Sequence, residues 1–109
     1  MAGEQLPSPN EIARLNDEFR KAGPNENWVA TQGALALADF PGLVQAVRDY
    51  DDFHPDIDPY GEHDMGRIVW QNEKTYFKID YYDQQLLYWC DPLSAECRRV
   101  LTILLASEY

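Results

Sequence analysis

The stretch Asp49–Asp64, DYDDFHPDIDPYGEHD, gathers the residues best able to do chemistry in this chain. Seven of its sixteen residues are carboxylates: Asp49, Asp51, Asp52, Asp56, Asp58, Glu62 and Asp64. Both histidines of the sequence, His54 and His63, lie among them, and no base does. Like charges this dense repel one another and cost folding stability unless a metal, a basic partner or solvent offsets them. Three chemistries are open to such a segment. Asp56, Asp58, Glu62, His63 and Asp64 are hard donors at loop spacing and suit Ca²⁺, Mg²⁺ or Mn²⁺. His54 or His63 beside a carboxylate suits acid–base work. Carboxylates presented together also suit the Lys and Arg side chains of another macromolecule, in place of phosphates.

The residues weigh against the first two. The order of ligands matches no EF-hand, because Pro59 occupies the place of the fourth loop position, and no H-E-x-x-H is present. No metal is expected; the alternative set is Asp58, Glu62, His63 and Asp64. No nucleophile accompanies the histidines: Ser8, Ser94 and Ser107 lack a G-x-S-x-G setting, and a histidine in an acidic loop more often holds the loop by hydrogen bonds. Asp58-Pro59-Tyr60-Gly61 reads first of all as a turn. The six glycines are scattered and form no phosphate-binding loop.

The elements that must carry this loop are legible by periodicity. Residues 1–8 form a loose tail, and 9–109 a single domain, which 109 residues are enough to support. Ser8-Pro9-Asn10-Glu11 opens a helix with a capping box, and Ile12, Leu15, Phe19 and Ala22 give it one face over about 9–22. Trp28–Thr31 is β-prone, and 34–38 is ambiguous between strand and helical turn. Leu43, Val44, Val47 and Tyr50 predict a second helix over about 40–50. From Arg67 the period changes to two: RIVWQ, a turn at Asn72-Glu73 and TYFKIDYYD read as a hairpin, with Leu86–Trp89 as a third strand. Asp91-Pro92 predicts a last helix over about 92–107, carrying the stripe Val100, Leu101, Leu104 and Leu105. The expected fold is α+β, three helices packed on one face of a small antiparallel β-meander, with Phe19, Leu43, Val47, Ile79, Leu101 and Leu104 in the core.

Composition narrows the function classes. Nineteen acids against nine bases give a net charge of −10, which disfavours direct binding to nucleic acid or to an anionic membrane. No apolar run approaches the ~20 residues of a membrane span, and the N-terminus lacks the basic start and apolar core of a signal peptide. A cytoplasmic location is expected, with Cys90 and Cys97 as free thiols. The aromatic group around Tyr76, Tyr82 and Tyr88 lacks the basic neighbours that base stacking on nucleic acid needs, and reads as sheet surface or protein interface.

DDFHPDIDPYGEHDMG, followed by KIDYYD, RRVLTILLASEY and the earlier RLNDEFR, is similar to a family of small acidic bacterial proteins of unknown function, about this length, with a D-P-Y-G-E-H-D signature. The resemblance spans nearly the whole chain. Genes of this kind are common on plasmids and other mobile elements, which implies a counter-defence role. Residues and resemblance together point to a non-enzymatic acidic binding protein without a cofactor. In this reading Asp49, Asp51, Asp52, Asp56, Asp58, Glu62 and Asp64 face a basic protein or nucleoprotein complex, as a nucleic-acid mimic of the anti-CRISPR kind would. The rivals are a small metal-dependent enzyme built on the loop and a structural or oligomer-forming protein.

Overall fold

A computed structural model describes residues 9–109. Helix α1 (Pro9–Ala22) leads into strand β1 (Trp28–Ala30), the single-turn helix α2 (Gln32–Leu35) and helix α3 (Phe40–Asp49). The acidic segment follows as a long connection. Strands β2 (Met65–Trp70), β3 (Glu73–Tyr82) and β4 (Arg98–Leu105) and a closing 3₁₀ turn (Ala106–Glu108) complete the chain. The expected tail, and the cap at Ser8, lie outside the described residues.

Local chemistry accounts for the element boundaries. The Thr31 hydroxyl accepts from the Ala34 N–H at the start of α2, and the Asp39 carboxylate accepts from the Gly42 N–H at the start of α3. The β2–β3 hairpin turns at Gln71 and Asn72, both at positive φ (52° and 65°), the pairing of signs that matches the twist of two-residue hairpins. The turn therefore sits one residue earlier than the sequence suggested.

The expected antiparallel meander with a C-terminal helix is overturned. The sheet has four strands in the order β1-β4-β3-β2, and it is mixed: β1 runs parallel to β4, while β2–β3 and β3–β4 are antiparallel. The part of the expected last helix that carries its apolar stripe is β4, one of the two inner strands, with neighbours on both edges. Leu101 and Ile103 are buried on the helix side and Leu104 on the opposite side. A strand covered on both faces reads as a continuous apolar run, which imitates a helical stripe over a few residues. The Asp91-Pro92 signal is real but local. The Asp91 carboxylate accepts from the Leu93 N–H, and Ser94 then makes a second turn with the Glu96 and Cys97 N–H groups instead of continuing a helix. The expected third strand at Leu86–Trp89 reduces to one bridge, Tyr82 with Trp89.

The helices and one face of the sheet share one core. Ala34, Leu43 and Val47 meet Phe77, Ile79, Tyr81, Leu101 and Ile103, with Ile12, Phe19 and Phe53 packed against them. Phe19, expected inside, is only partly buried. Among the residues of α1 whose burial is described, the buried ones are Ala13, Asn16 and Arg20, a stripe rotated by one residue from the apolar one. That rotation decides how the acidic segment is held.

Candidate functional site

The acidic segment is fixed by rings and buried polar groups beneath it. Tyr50 and Phe53 reach down to Phe77 on β3, with ring centroids 5.2 and 6.3 Å away, edge to face, and lie 4.8 Å from each other. The room for this stack comes from Gly66 on β2, where a Cβ would fall into the Phe77 and Tyr50 rings. The Tyr50 hydroxyl donates to the Asp52 carbonyl (2.7 Å) and accepts from the Arg67 N–H (3.2 Å), which ties the start of the segment to β2.

Arg20 is the keystone. Its side chain is 1 % exposed. One guanidinium nitrogen donates to the carbonyls of Val47 (2.9 Å) and Arg48 (2.7 Å) in the last turn of α3, where positive charge is favoured, and another to the Asp17 carboxylate (2.8 Å). The planar group lies 5.6 Å from the Phe53 centroid and 5.7 Å from that of Phe77. Asp17 in turn faces His63 Nδ1, 3.1 Å from each carboxylate oxygen, and the His63 ring stacks on Phe53 at 4.0 Å, 2° from parallel. A second buried line runs from Arg99 to the Asn16 amide (2.6 Å), from Asn16 to the Tyr81 hydroxyl and the Glu62 carbonyl (2.9 Å each), and from Tyr81 to the Glu62 carboxylate (3.3 Å). Burial pushes the Tyr81 hydroxyl well above the ordinary phenol range, so it donates rather than ionises.

These contacts divide the seven carboxylates into two groups. Asp58 is buried, and its oxygens accept from the N–H groups of Glu62 and His63, closing a turn in which Gly61 (φ 66°) and His63 (φ 58°) are left-handed. Glu62 belongs to the Tyr81 line. Asp64 is partly buried among Glu62, Asp58 and Asp80, and burial first, then these like charges, push its carboxyl up to about 6. Asp49, Asp51, Asp52 and Asp56 are exposed. Asp49 accepts from the Gln45 amide, and Asp52 lies 3.2 Å from His54 Nε2. Asp56 pairs with Arg67 at 3.0 Å, and the guanidinium holds its carboxyl below the usual range. Asp51 makes no ion pair or side-chain hydrogen bond among the described residues.

The set Asp58, Glu62, His63 and Asp64 is thus spread over separate tasks. Asp58 caps a turn, His63 turns to Asp17 on α1 and not to its sequence neighbours, and Glu62 meets Tyr81. Among the described residues no three of His, Cys, Asp and Glu are placed to hold a metal ion. Sequence reasoning missed Asn16, Asp17, Arg20, Tyr81 and Arg99, which do the holding. The available signal was the spacing Asn16–Arg20, one helical turn apart beside an apolar stripe.

The state of Asp64 has a measurable consequence. Its folded pKa lies above the unfolded value, so the folded chain holds the extra proton between about pH 4 and 6, and stability falls as pH rises through that window. Asp64→Asn is expected to raise stability by on the order of 1 kcal/mol at pH 7, after discounting for solvent screening, and by nothing at pH 4. Urea melts of both proteins at the two pH values check this, and an equal gain at both would show that the charge on the Asp64 carboxylate is not its source.

Among the described residues no helix is long and apolar enough to cross a membrane. No similar curated protein and no similar solved structure is found. Residues 30–108, from β1 through the acidic segment to the last turn, match the family described as protein of unknown function (DUF3768). The chain belongs to the DUF3768 family.

Proposed function

We propose that this is a non-enzymatic binding protein that sets Asp49, Asp51 and Asp52 against a basic surface of another protein or nucleoprotein complex. The observation that carries the reading is the division of the acidic segment. Asp58 and Glu62 are consumed in building the loop and Asp64 is partly buried, while these three are exposed on a backbone pinned by Tyr50 and Phe53. Acids held in place cost less ordering entropy on contact than acids on a floppy tail. Asp56 is a lesser contributor, since Arg67 already neutralises it. In its narrower form the partner's surface is a nucleic-acid-binding channel, of an anti-CRISPR target for instance, and the carboxylates stand where phosphates would.

The test is capture from host lysate at low salt, with wild type and the triple variant D49N/D51N/D52N as baits. Exposed pairs contribute up to about 1 kcal/mol each, so three together are worth on the order of tenfold to a hundredfold in affinity. The basic protein retained by wild type should be lost with the triple variant, and nucleic acid should displace it. Retention that ignores both the variant and added salt sinks the reading. The fold should survive the triple change, because Asp51 and Asp52 cap no element and the surface contact of Asp49 with the Gln45 amide can be made by the carbonyl of an asparagine side chain as well.

A further inference from the structure

The loop after β3 presents four consecutive apolar residues to solvent: Leu86, Leu87, Tyr88 and Trp89 are 41, 69, 72 and 71 % exposed. Four large apolar side chains so exposed in one loop differ from the single scattered apolar residues normal on a monomer surface. This is no frayed connection. The Asp83 N–H donates to the Tyr88 carbonyl (2.8 Å), the Leu86 N–H to the Asp83 carbonyl (2.9 Å), and the Leu87 N–H to the Asp83 carboxylate (2.9 Å). The Tyr82–Trp89 bridge closes the base, and the Gln84 amide donates to the Glu96 carbonyl at 2.6 Å. Leu86 is held at φ 60°, a conformation leucine avoids unless its surroundings impose it. So the hydrogen bonds of the loop fix its backbone and leave its large side chains outside.

We infer that Leu87, Tyr88 and Trp89 form a preorganised apolar anchor that packs against the apolar face of a basic amphipathic segment of a partner protein. Trp and Tyr are the residues that most often carry binding energy, and a loop already ordered loses little entropy on docking. The charge around the anchor selects the occupant. Asp83, Asp91 and Glu96 flank it in sequence, and the guanidinium of Arg98 beyond them is spent on the Asn27 side chain and the Gln84 carbonyl. A two-fold contact with a second copy would set these acids against one another, on chains of net charge −10, and an anionic bilayer would repel them. Lys and Arg beside that apolar face satisfy them. The sign of the partner's charge rests on the function proposed above; the anchor uses a different segment.

Two fluorescently labelled peptides of equal charge separate the two surfaces: an amphipathic Leu/Lys helix, and one in which polar uncharged residues replace Leu. Wild type should bind the Leu/Lys peptide at least tenfold more tightly, and L87A/W89A should erase that preference while leaving the second peptide unaffected. Tyr88→Ala is the milder variant should the double one fail to fold, and it should remove part of the same preference. D49N/D51N/D52N should weaken both peptides alike. If that triple change alters neither, the acidic reading falls and the anchor stands; if L87A/W89A and Tyr88→Ala both keep the preference, the anchor falls and the acidic reading stands. Sedimentation should show a monomer. A dimer abolished by L87A/W89A, or binding to phosphatidylcholine vesicles abolished by it, overturns the proposal by naming a different occupant.

Discussion

Arg20→Ala is expected to lower the unfolding free energy by about 3–5 kcal/mol, as removal of one partner from a buried charge network does. The side chain is 1 % exposed and serves three acceptors at once: the Val47 and Arg48 carbonyls at the end of α3 and the Asp17 carboxylate. Truncation leaves two carbonyls and a carboxylate short of donors and opens a void against the Phe53 and Phe77 rings. Arg20→Lys keeps the charge but not the planar fork. It should retain less than half of the lost stability, since an ammonium on a single tip cannot serve acceptors on two helices while lying flat between two rings. Arg20→Met restores volume without donors, so the gap between Met and Ala measures packing and the gap between Met and wild type measures the polar contacts. Equilibrium urea melts at pH 7 read all three. A loss below about 1 kcal/mol for Arg20→Ala would mean that α1 does not hold the acidic segment through this residue.

The keystone role of Arg20 was beyond a reading of periodicity, and the reason is physical. Pattern reading places apolar residues inside and charges outside, so Ile12, Leu15, Phe19 and Ala22 define the face of α1 and Arg20 falls beside it. The fold instead turns Asn16 and Arg20 inward, because carbonyls at the end of α3 and in the acidic connection need donors from α1: Val47 and Arg48 take theirs from Arg20, Glu62 from Asn16. Where sequence and structure agree, the signals are local. The start of α1 follows from Pro9, α3 follows from its apolar stripe, and the hairpin from strict alternation in β3, where Thr75, Phe77, Ile79 and Tyr81 are buried. Where they part, at Arg98–Leu105, the deciding fact is non-local. Val100 to Leu105 is apolar enough for either element, and only β1 on one edge and β3 on the other make it a strand.

The acidic segment shows the same limit. Its composition marked it as the place to look, but seven carboxylates in a row of sixteen residues carry no label for which are structural. Asp58 and Asp51 are alike in type and differ only in what surrounds them: two backbone N–H groups for Asp58, solvent for Asp51. Asp58-Pro59-Tyr60-Gly61 did read as a turn, and the Asp58 carboxylate closes it.

Phe77→Ala is expected to cost about 3–5 kcal/mol, the range for a large aromatic ring removed from a packed core. Phe77 is fully buried at the middle of β3, opposite Gly66 on β2 and Ile103 on β4. Its ring is the floor on which Tyr50 and Phe53 stand, and it faces the Arg20 guanidinium. The cavity cannot close by a shift of β2 alone, since β2 is held by its ladder to β3 and by the Tyr50 hydroxyl on the Arg67 N–H. Phe53, whose ring no hydrogen bond holds, is the side chain able to settle into it, and it carries the backbone of Asp52 with it. The substitution should therefore weaken partner binding beyond its effect on the folded fraction, whereas Leu104→Ala, a core change on the opposite face of the sheet, should cost stability alone. Urea melts give the first quantity, and titration of the captured partner under conditions where both variants remain folded gives the second. Equal affinities for the two variants would show that the exposed carboxylates do not depend on the ring stack for their placement, and the rigidity assigned to the segment would have to come from its polar contacts alone.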